Sequence, residues 1–472
     1  MGYDLIIRGG HVITASGQFH ADIAVSQGRI AAIGQTLGDA IDVVDAGGLI
    51  ITPGGVDPHC HIEQVSGMGL MNADTFETAT RSAAMGGTTS VISFAAQAKG
   101  QRLSEAAADY AARAKRGAAI DHAFHLIIAD ATVPNLEADL RELIAAGHRS
   151  LKIFTTYNIG LGNAEILRVL HIAREAGALT CIHAENDAII AAARDRLLSE
   201  GRTRPIDHAA SRPRSAEIEA VARMCRLAED ARAPVMIFHV STTEAAAEIR
   251  AARARGAPVW AETCPHYLFQ TEDILDKPGI EGAKWMCSPP QRTTRDQDAL
   301  WHALALGDLQ LVSSDHAPYR FDETGKLSNG ADAPFPAIAN GMPGLELRQP
   351  LMFDAMVKKG RLGPEAFVAL TATLPARLYG FARKGDIAPG MDADLVLWDP
   401  GREVTYGAND LHDNVGYNPC EGVTVRGWPV RTILRGRTIM QDGTYLGEPG
   451  TGAWIPRPAI GTRPADITGA HT

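Results

Sequence analysis

Four histidines, one lysine and one aspartate stand at the ends of apolar, strand-like runs, in the order His59, His61, Lys152, His183, His239 and Asp315. Imidazole and carboxylate are ligands for zinc, manganese or cobalt, and the set as a whole reads as a two-metal hydrolase centre. The first pair lies in Val56-Asp57-Pro58-His59-Cys60-His61. Alternate residues of an extended strand face the same way, so both imidazoles can reach one metal while Cys60 points away from it. Taken singly, a histidine in such a place is more often a hydrogen-bonded core or loop residue than a ligand. The joint pattern favours metal, because every member of the series, ending in Asp315-His316, would otherwise have to be coincidence.

Lys152, in Ser150-Leu151-Lys152-Ile153-Phe154, is a problem for that reading. An ammonium among ligands for two dications is repelled, so a plain lysine cannot ligate. Two readings stay open from the residues alone. Lys152 either forms a salt bridge outside the ligand set, or carbon dioxide converts it to a carbamate (N6-carboxylysine) whose anionic oxygens can bridge two metals. The carbamate would also supply charge, since four neutral imidazoles and Asp315 alone leave two dications under-neutralised in a partly dry site.

The elements that must position these groups are visible in the hydrophobic pattern. From about Leu49 to Asp315 short β-rich runs alternate with alanine-rich segments of helical period, the mark of repeated βα units. Eight runs can be counted: Leu49 to Asp57, Thr88 to Phe94, Asp121 to Ile128, Arg149 to Thr155, Ala178 to Ala184, Ala233 to Ser241, Ala257 to Thr263 and Leu309 to Asp315. Eight units of this α/β class predict a closed (β/α)8, TIM-like barrel. The six candidates then fall at the C-terminal ends of runs one, four, five, six and eight, the face where barrel enzymes carry their chemistry. Helices over Ser215 to Arg232, with an apolar face of Ile218, Val221, Ala222, Cys225 and Leu227, and over Thr243 to Gly256 should pack outside it.

The flanks differ. Tyr3 to Gly10, Asp22 to Ile30, Asp392 to Trp398 and Val430 to Ile439 are strand-like, so the two chain ends are expected to meet in a small β-sandwich. The expected domains are 1–53 with 385–445 for the sandwich, 54–384 for the barrel, and a Pro-, Gly- and Thr-rich tail over 446–472. The 472 residues, 45% of them hydrophobic, suffice for one large domain and one smaller one.

A formal charge of -10 without any lysine or arginine run argues against nucleic acid or an anionic membrane as partner and leaves small molecules as substrates. The start of the chain lacks the pattern of a signal peptide, and no apolar run is long enough to span a bilayer, so a soluble cytoplasmic protein is expected. Six cysteines (60, 181, 225, 264, 287 and 420) are scattered without a C-x-x-C pair and read as reduced thiols.

Several separate motifs now resemble one family over essentially the full length. They are Pro53-Gly54-Gly55-Val56-Asp57-Pro58-His59-Cys60-His61-Ile62-Glu63, Gly86-Gly87-Thr88-Thr89, Lys152-Ile153-Phe154-Thr155-Thr156-Tyr157, His183-Ala184-Glu185-Asn186, Ser288-Pro289-Pro290, Ser314-Asp315-His316-Ala317-Pro318 and Asn340-Gly341-Met342-Pro343-Gly344. The chain resembles the hydantoinase and dihydropyrimidinase family of cyclic amidohydrolases, in the amidohydrolase superfamily. The resemblance implies a carbamylated Lys152 bridging two divalent metals, zinc first, with manganese or cobalt as alternatives. It places His59, His61 and Asp315 on one metal and His183 with His239 on the other, with a hydroxide bridging both. It further implies that Asp315 moves the proton to the departing ring nitrogen, that Tyr157 donates a hydrogen bond to the oxyanion, and that Ser288 and Asn340 hold the edge of the ring. The reaction implied is the opening of 5-substituted hydantoins or dihydropyrimidines to N-carbamoyl amino acids by a homotetramer or homodimer.

Related activities are weighed by single residues. A dihydroorotase is expected to carry an arginine soon after the paired histidines to grip the substrate carboxylate, whereas Ile62-Glu63-Gln64 follow here. Ile62-Glu63 favours hydantoinase or dihydropyrimidinase over allantoinase, with allantoinase and cyclic imide hydrolase kept as alternatives. Some family relatives are non-catalytic adaptors that have lost ligands, and retention of all six positions with Tyr157 argues for an enzyme. His316 is expected outside the ligand set. The departures lie in substrate loops: Gln64 to Asn72 lacks the aromatic and proline residues common in relatives, and Ser93 stands where they often have aspartate.

Overall fold

The computed structural model of the chain describes residues 2–459. Eight parallel strands follow one another in chain order: Gly55–Cys60, Thr88–Ala96, Asp121–Ile127, Ser150–Phe154, Leu179–His183, Val235–Ile237, Val259–Thr263 and Leu311–Val312. Each pairs with the next, with a helical crossover between most neighbours. Their near-continuous apolar character follows from burial on both faces; every residue of Asp121–Ile127, for example, is buried. A parallel bridge between Cys60 and His316, with the His61 N–H donating to the His316 carbonyl at 2.7 Å, joins the first strand to the chain beyond the eighth. The arrangement is consistent with the expected TIM-like barrel.

One apolar cluster draws on all eight strands, through Val56, Ile92, Ala123, Phe154, Leu179, Met236, Trp260 and Leu311. This is the packed interior on which the site rests. Outside it, the helix Arg214–Ala231 buries Ala216, Ala220, Met224 and Ala228, an i, i+4 stripe that turns its apolar side inward. The first run of the sequence reading, Leu49 to Asp57, is two strands. Ile50–Pro53 pairs with Leu395–Thr405 in the other sheet, and the barrel strand starts afresh at Gly55. Proline cannot donate to a ladder, so the chain changes sheets at Pro53-Gly54.

The second sheet has nine strands and takes them from both chain ends. The strand Tyr3–Thr14 bulges between Ile7 and Gly10, pairing with Ala40–Asp45 before the bulge and with Ile50–Pro53 after it. Its side chains Leu5, Ile7 and Val12 share a core with Ile23, Val25, Leu395 and Ile433. The runs Asp22 to Ile30 and Val430 to Ile439 are each interrupted by a tight hairpin, at Gln27-Gly28 (φ 52° and 73°) and Arg435-Gly436 (φ 46° and 75°). Left-handed residues at both central positions are what a type I′ turn between twisted strands requires.

Part of the segment that composition marked as a tail belongs to the barrel floor. Gly452 N–H donates to Ala118 O at 2.9 Å and Ile455 N–H to His122 O at 2.8 Å. Arg457 is buried and donates to Phe124 O at 2.7 Å and Ser150 Oγ at 2.8 Å. These contacts satisfy the backbone of a stretch that forms no regular element, which composition alone could not reveal. Residues 460–472 of that segment lie outside the described residues.

A buried ion cluster ties the sheet to the barrel. Lys384 Nζ lies 2.5 Å from Asp121, 2.7 Å from Asp394 and 3.0 Å from Asp392. Replacing it with methionine is expected to destabilise the protein by about 3–5 kcal/mol, because buried carboxylates lose their counter-charge. Urea unfolding checks this, and a loss under about 1 kcal/mol, the scale of a surface pair, would show that the cluster is not energetically dry. All six cysteines are free and buried. No helix among the described residues is long and apolar enough to cross a membrane.

Candidate metal centre and substrate pocket

The C-terminal ends of the strands converge on one cavity of about 960 Å³, whose lining includes His59, His61, Lys152, His183, His239 and Asp315. His59 lies in the first strand and His61 just beyond it; Lys152 is central in the fourth and His183 ends the fifth. His239 and Asp315 follow the short sixth and eighth strands, at φ 42° and 47°. Glu63 (φ 51°) and Tyr157 (φ 66°) share this left-handed conformation. Such backbone costs free energy in non-glycine residues and gathers at functional sites, where the surrounding fold enforces it.

Donor atoms of His59, His61 and Asp315 lie within 4.8 Å of one another. Asp315 Oδ1 is 3.0 Å from His59 Nε2 and 3.6 Å from His61 Nε2. His183 and His239 form a separate pair, their ring centroids 4.5 Å apart. Three of the four rings have their other nitrogen fixed by an oxygen: His59 Nδ1 faces Glu262 Oε1 at 2.5 Å, His61 Nδ1 faces Gln64 Oε1 at 2.6 Å, and His183 Nε2 faces Glu185 Oε2 at 2.7 Å. His239 Nδ1 is buried without a partner. Oriented rings with one nitrogen left over are what a metal site needs, so the donor set fits divalent ions.

The electrostatics agree. Burial holds His61 and His239 below the ordinary imidazole value and His183 down at about 4, which keeps these rings in the neutral, ligating form. His59 moves the other way: burial is outweighed by the carboxylates of Asp315 and Glu262. Burial by itself would raise Asp315, but the imidazoles of His59 and His61 hold its carboxyl well below the usual range. Lys152 is 1% exposed, and among the described residues it has no carboxylate within ion-pair distance. Its Nζ stands over the Phe238 ring at 4.0 Å and Phe154 at 4.8 Å, and burial brings its amine down to about 8.

The wall above this floor carries Tyr157, Ser288 and Asn340. Ser288 Oγ donates to Asn340 Oδ1 at 3.3 Å across the cavity edge. The Tyr157 ring lies 5.3 Å from that of His183, with the Arg212 guanidinium 5.0 Å from its centroid. Val65, Met68, Phe335 and Ile338 add apolar surface. His316 is committed elsewhere: its Nε2 meets Asp74 at 2.9 Å and its Nδ1 accepts from Gly344 N at 3.0 Å.

Residues 50–439 match the model of the amidohydrolase family. The D-hydantoinase of Ralstonia pickettii is 41% identical over 458 residues, 96% of this chain and 99% of that protein. Among solved structures, the D-hydantoinase of Bacillus sp. AR9 superposes with a TM-score of 0.93 at 39% identity, covering 97% of this chain and 100% of that one. The chain belongs to the hydantoinase and dihydropyrimidinase family. A dihydropyrimidinase from Brevibacillus agri NCHU1002 is as similar, with a TM-score of 0.93, 39% identity and coverage of 97% and 99%. Membership in the amidohydrolases implies divalent metal, and the cluster of His59, His61 and Asp315 supplies donors for it.

Sequence reasoning about this hydantoinase-family chain overlooked the residues behind the ligands. Glu262, in the seventh strand, is fully buried and grips His59; the run Ala257 to Thr263 contributed no candidate, although a lone carboxylate in an apolar strand was a signal. Glu185, two residues from His183, pairs with buried Arg212, which together with His183 outweighs burial and holds its carboxyl at about 2. Nothing in sequence spacing links Arg212 to this site, and Gln64, three residues after His61, is brought to it by the turn at Glu63.

Proposed function

We propose that the protein opens cyclic amide rings, 5-substituted hydantoins or dihydropyrimidines, to N-carbamoyl amino acids. The observation that carries this is the pocket floor, where His59, His61 and Asp315 bring donors within 4.8 Å of one another beside the buried Lys152, whose Nζ lies over the Phe238 ring at 4.0 Å. In this reading His59, His61 and Asp315 would hold one divalent ion and His183 and His239 a second, and Lys152, as a carbamate, would be a ligand to both; zinc is the first choice, manganese or cobalt the alternatives. Bound there, the ions would supply an activated water and polarise the scissile carbonyl.

The protein groups do the rest. The ring enters with its amide and imide edge against Ser288 and Asn340, which fixes the carbonyl over the floor. Tyr157 donates a hydrogen bond from its phenol to the oxygen that gains charge as water adds. Asp315, ionised because its imidazole neighbours favour the anion, accepts the proton of the attacking water and returns it to the departing ring nitrogen as the C–N bond breaks. One C–O bond forms, one C–N bond is lost, and water is consumed. The apolar surface of Val65, Met68, Phe335 and Ile338 accommodates the substituent.

The reading extends to a cytoplasmic homotetramer or homodimer, with the barrel over 54–384 and the strands of 1–53 and 385–445 as a smaller sandwich domain. Metal-reconstituted protein should open dihydrouracil or 5-substituted hydantoins and lose that activity to a chelator. Turnover of allantoin or cyclic imides alone would move the substrate assignment to those rings, and chelator-insensitive turnover would sink the metal reading.

A further inference from the structure

We infer that Gln64 is a positioning residue for His61, and that through it the loop 64–72, which walls the substrate pocket, is mechanically tied to a metal ligand. The inference rests on the reading of His61 as a ligand. Gln64 Oε1 stands 2.6 Å from His61 Nδ1. An amide oxygen only accepts, so the contact puts the imidazole proton on Nδ1 and leaves Nε2, which faces Asp315, with its lone pair free. A ring released from that contact gains other rotamers and the opposite tautomer, which do not present the Nε2 lone pair beside Asp315, and affinity falls by the fraction lost. His59 and His183 have anionic partners for this task, Glu262 and Glu185, whereas His61 relies on a neutral amide.

Gln64 is itself held from both sides. Its N–H donates to Asn72 Oδ1 at 3.0 Å, the Asn72 N–H donates back to Gln64 O at 3.0 Å, and Asn72 Nδ2 donates to His61 O at 2.8 Å. One residue earlier the chain turns through left-handed Glu63, whose carbonyl accepts from Arg113 Nη1 at 2.7 Å and Tyr110 Oη at 3.3 Å. This paid-for turn aims the Gln64 side chain back at the imidazole. Beyond the clamp the loop closes on itself by a Val65–Met71 bridge and carries Val65 and Met68 to the pocket. A substituent that shifts this wall therefore acts on the base that orients His61.

The test is zinc release from the reconstituted full chain to a chromophoric chelator, compared for wild type, Gln64→Leu and Gln64→Glu, with far-UV circular dichroism on each. The expected result is that Gln64→Leu keeps the native spectrum and loses zinc about 10–100-fold more readily, the usual cost of removing a partner of a ligating histidine. Gln64→Glu, which keeps an acceptor oxygen and cannot donate when ionised, should hold zinc at least as well as wild type. Gln64→Met serves if leucine perturbs the loop. Wild-type retention by the leucine and methionine variants would overturn the inference, and so would equal loss from the glutamate and leucine variants, since the acceptor would then not matter. A wild-type chain that binds no divalent ion would instead overturn the ligand reading of His61, and this inference with it.

Discussion

Replacing Lys152 with alanine is expected to lower ring opening by about 10³-fold, equivalent to about 4 kcal/mol of transition-state stabilisation, and to leave fewer than two metals per chain. The lysine sits among Phe238, Phe154 and Phe94, with no carboxylate to pair it among the described residues. A permanent ammonium in that place has only the aromatic faces to attract it and would repel two dications, whereas a carbamate would remove the positive charge and add an anionic ligand. The reading makes a second demand. Wild-type protein stripped of metal and reloaded in carbon dioxide-free buffer should show the same deficit, and bicarbonate should reverse it. Metal content measured by atomic emission decides the matter: an alanine variant that still holds two metals would remove Lys152 from the bridge.

Asp315→Asn is expected to cost about 10²–10⁴-fold in kcat, the range for loss of a positioned general base, with KM changed only a few-fold. Asparagine preserves the shape of the side chain, and one oxygen can still face His59, but it cannot take up a proton. The expectation depends on the carboxyl being ionised at neutral pH; burial opposes this, and the contact with His59 outweighs it. A fall of less than tenfold with metals in place would assign proton transfer to another group. Full loss of metal in this variant would show instead that Asp315 acts mainly as a ligand.

The sequence by itself was enough to lay out the barrel strands and to single out six candidate ligands. Both signals are local and periodic: apolar runs of strand length recur between helical segments, and His59, His61, His183, His239 and Asp315 sit at or near their C-terminal ends, whereas Lys152 stands in the middle of the fourth strand. Burial on both faces is what makes those strands legible, because it removes polar residues from them and leaves a functional side chain conspicuous. The same logic failed where pattern and pairing part company. Leu49 to Asp57 reads as one run, yet Pro53-Gly54 divides it between two sheets, and the Pro- and Gly-rich stretch that resembles a tail places Arg457 against Phe124 and Ser150.

Only the tertiary structure decided what stands behind the candidate ligands. Glu262 reaches His59 across 203 residues of chain, and Arg212 anchors Glu185, while Gln64 meets His61 through a left-handed turn at Glu63 held by Arg113. The partner of His59 comes from a distant strand, and although Gln64 and Glu185 lie within three residues of their rings, the turns and ion pairs that aim them come from elsewhere in the fold. The candidate chemistry was therefore legible in residue types along the strands, and the contacts that orient it came from how the fold packs those strands and their loops together.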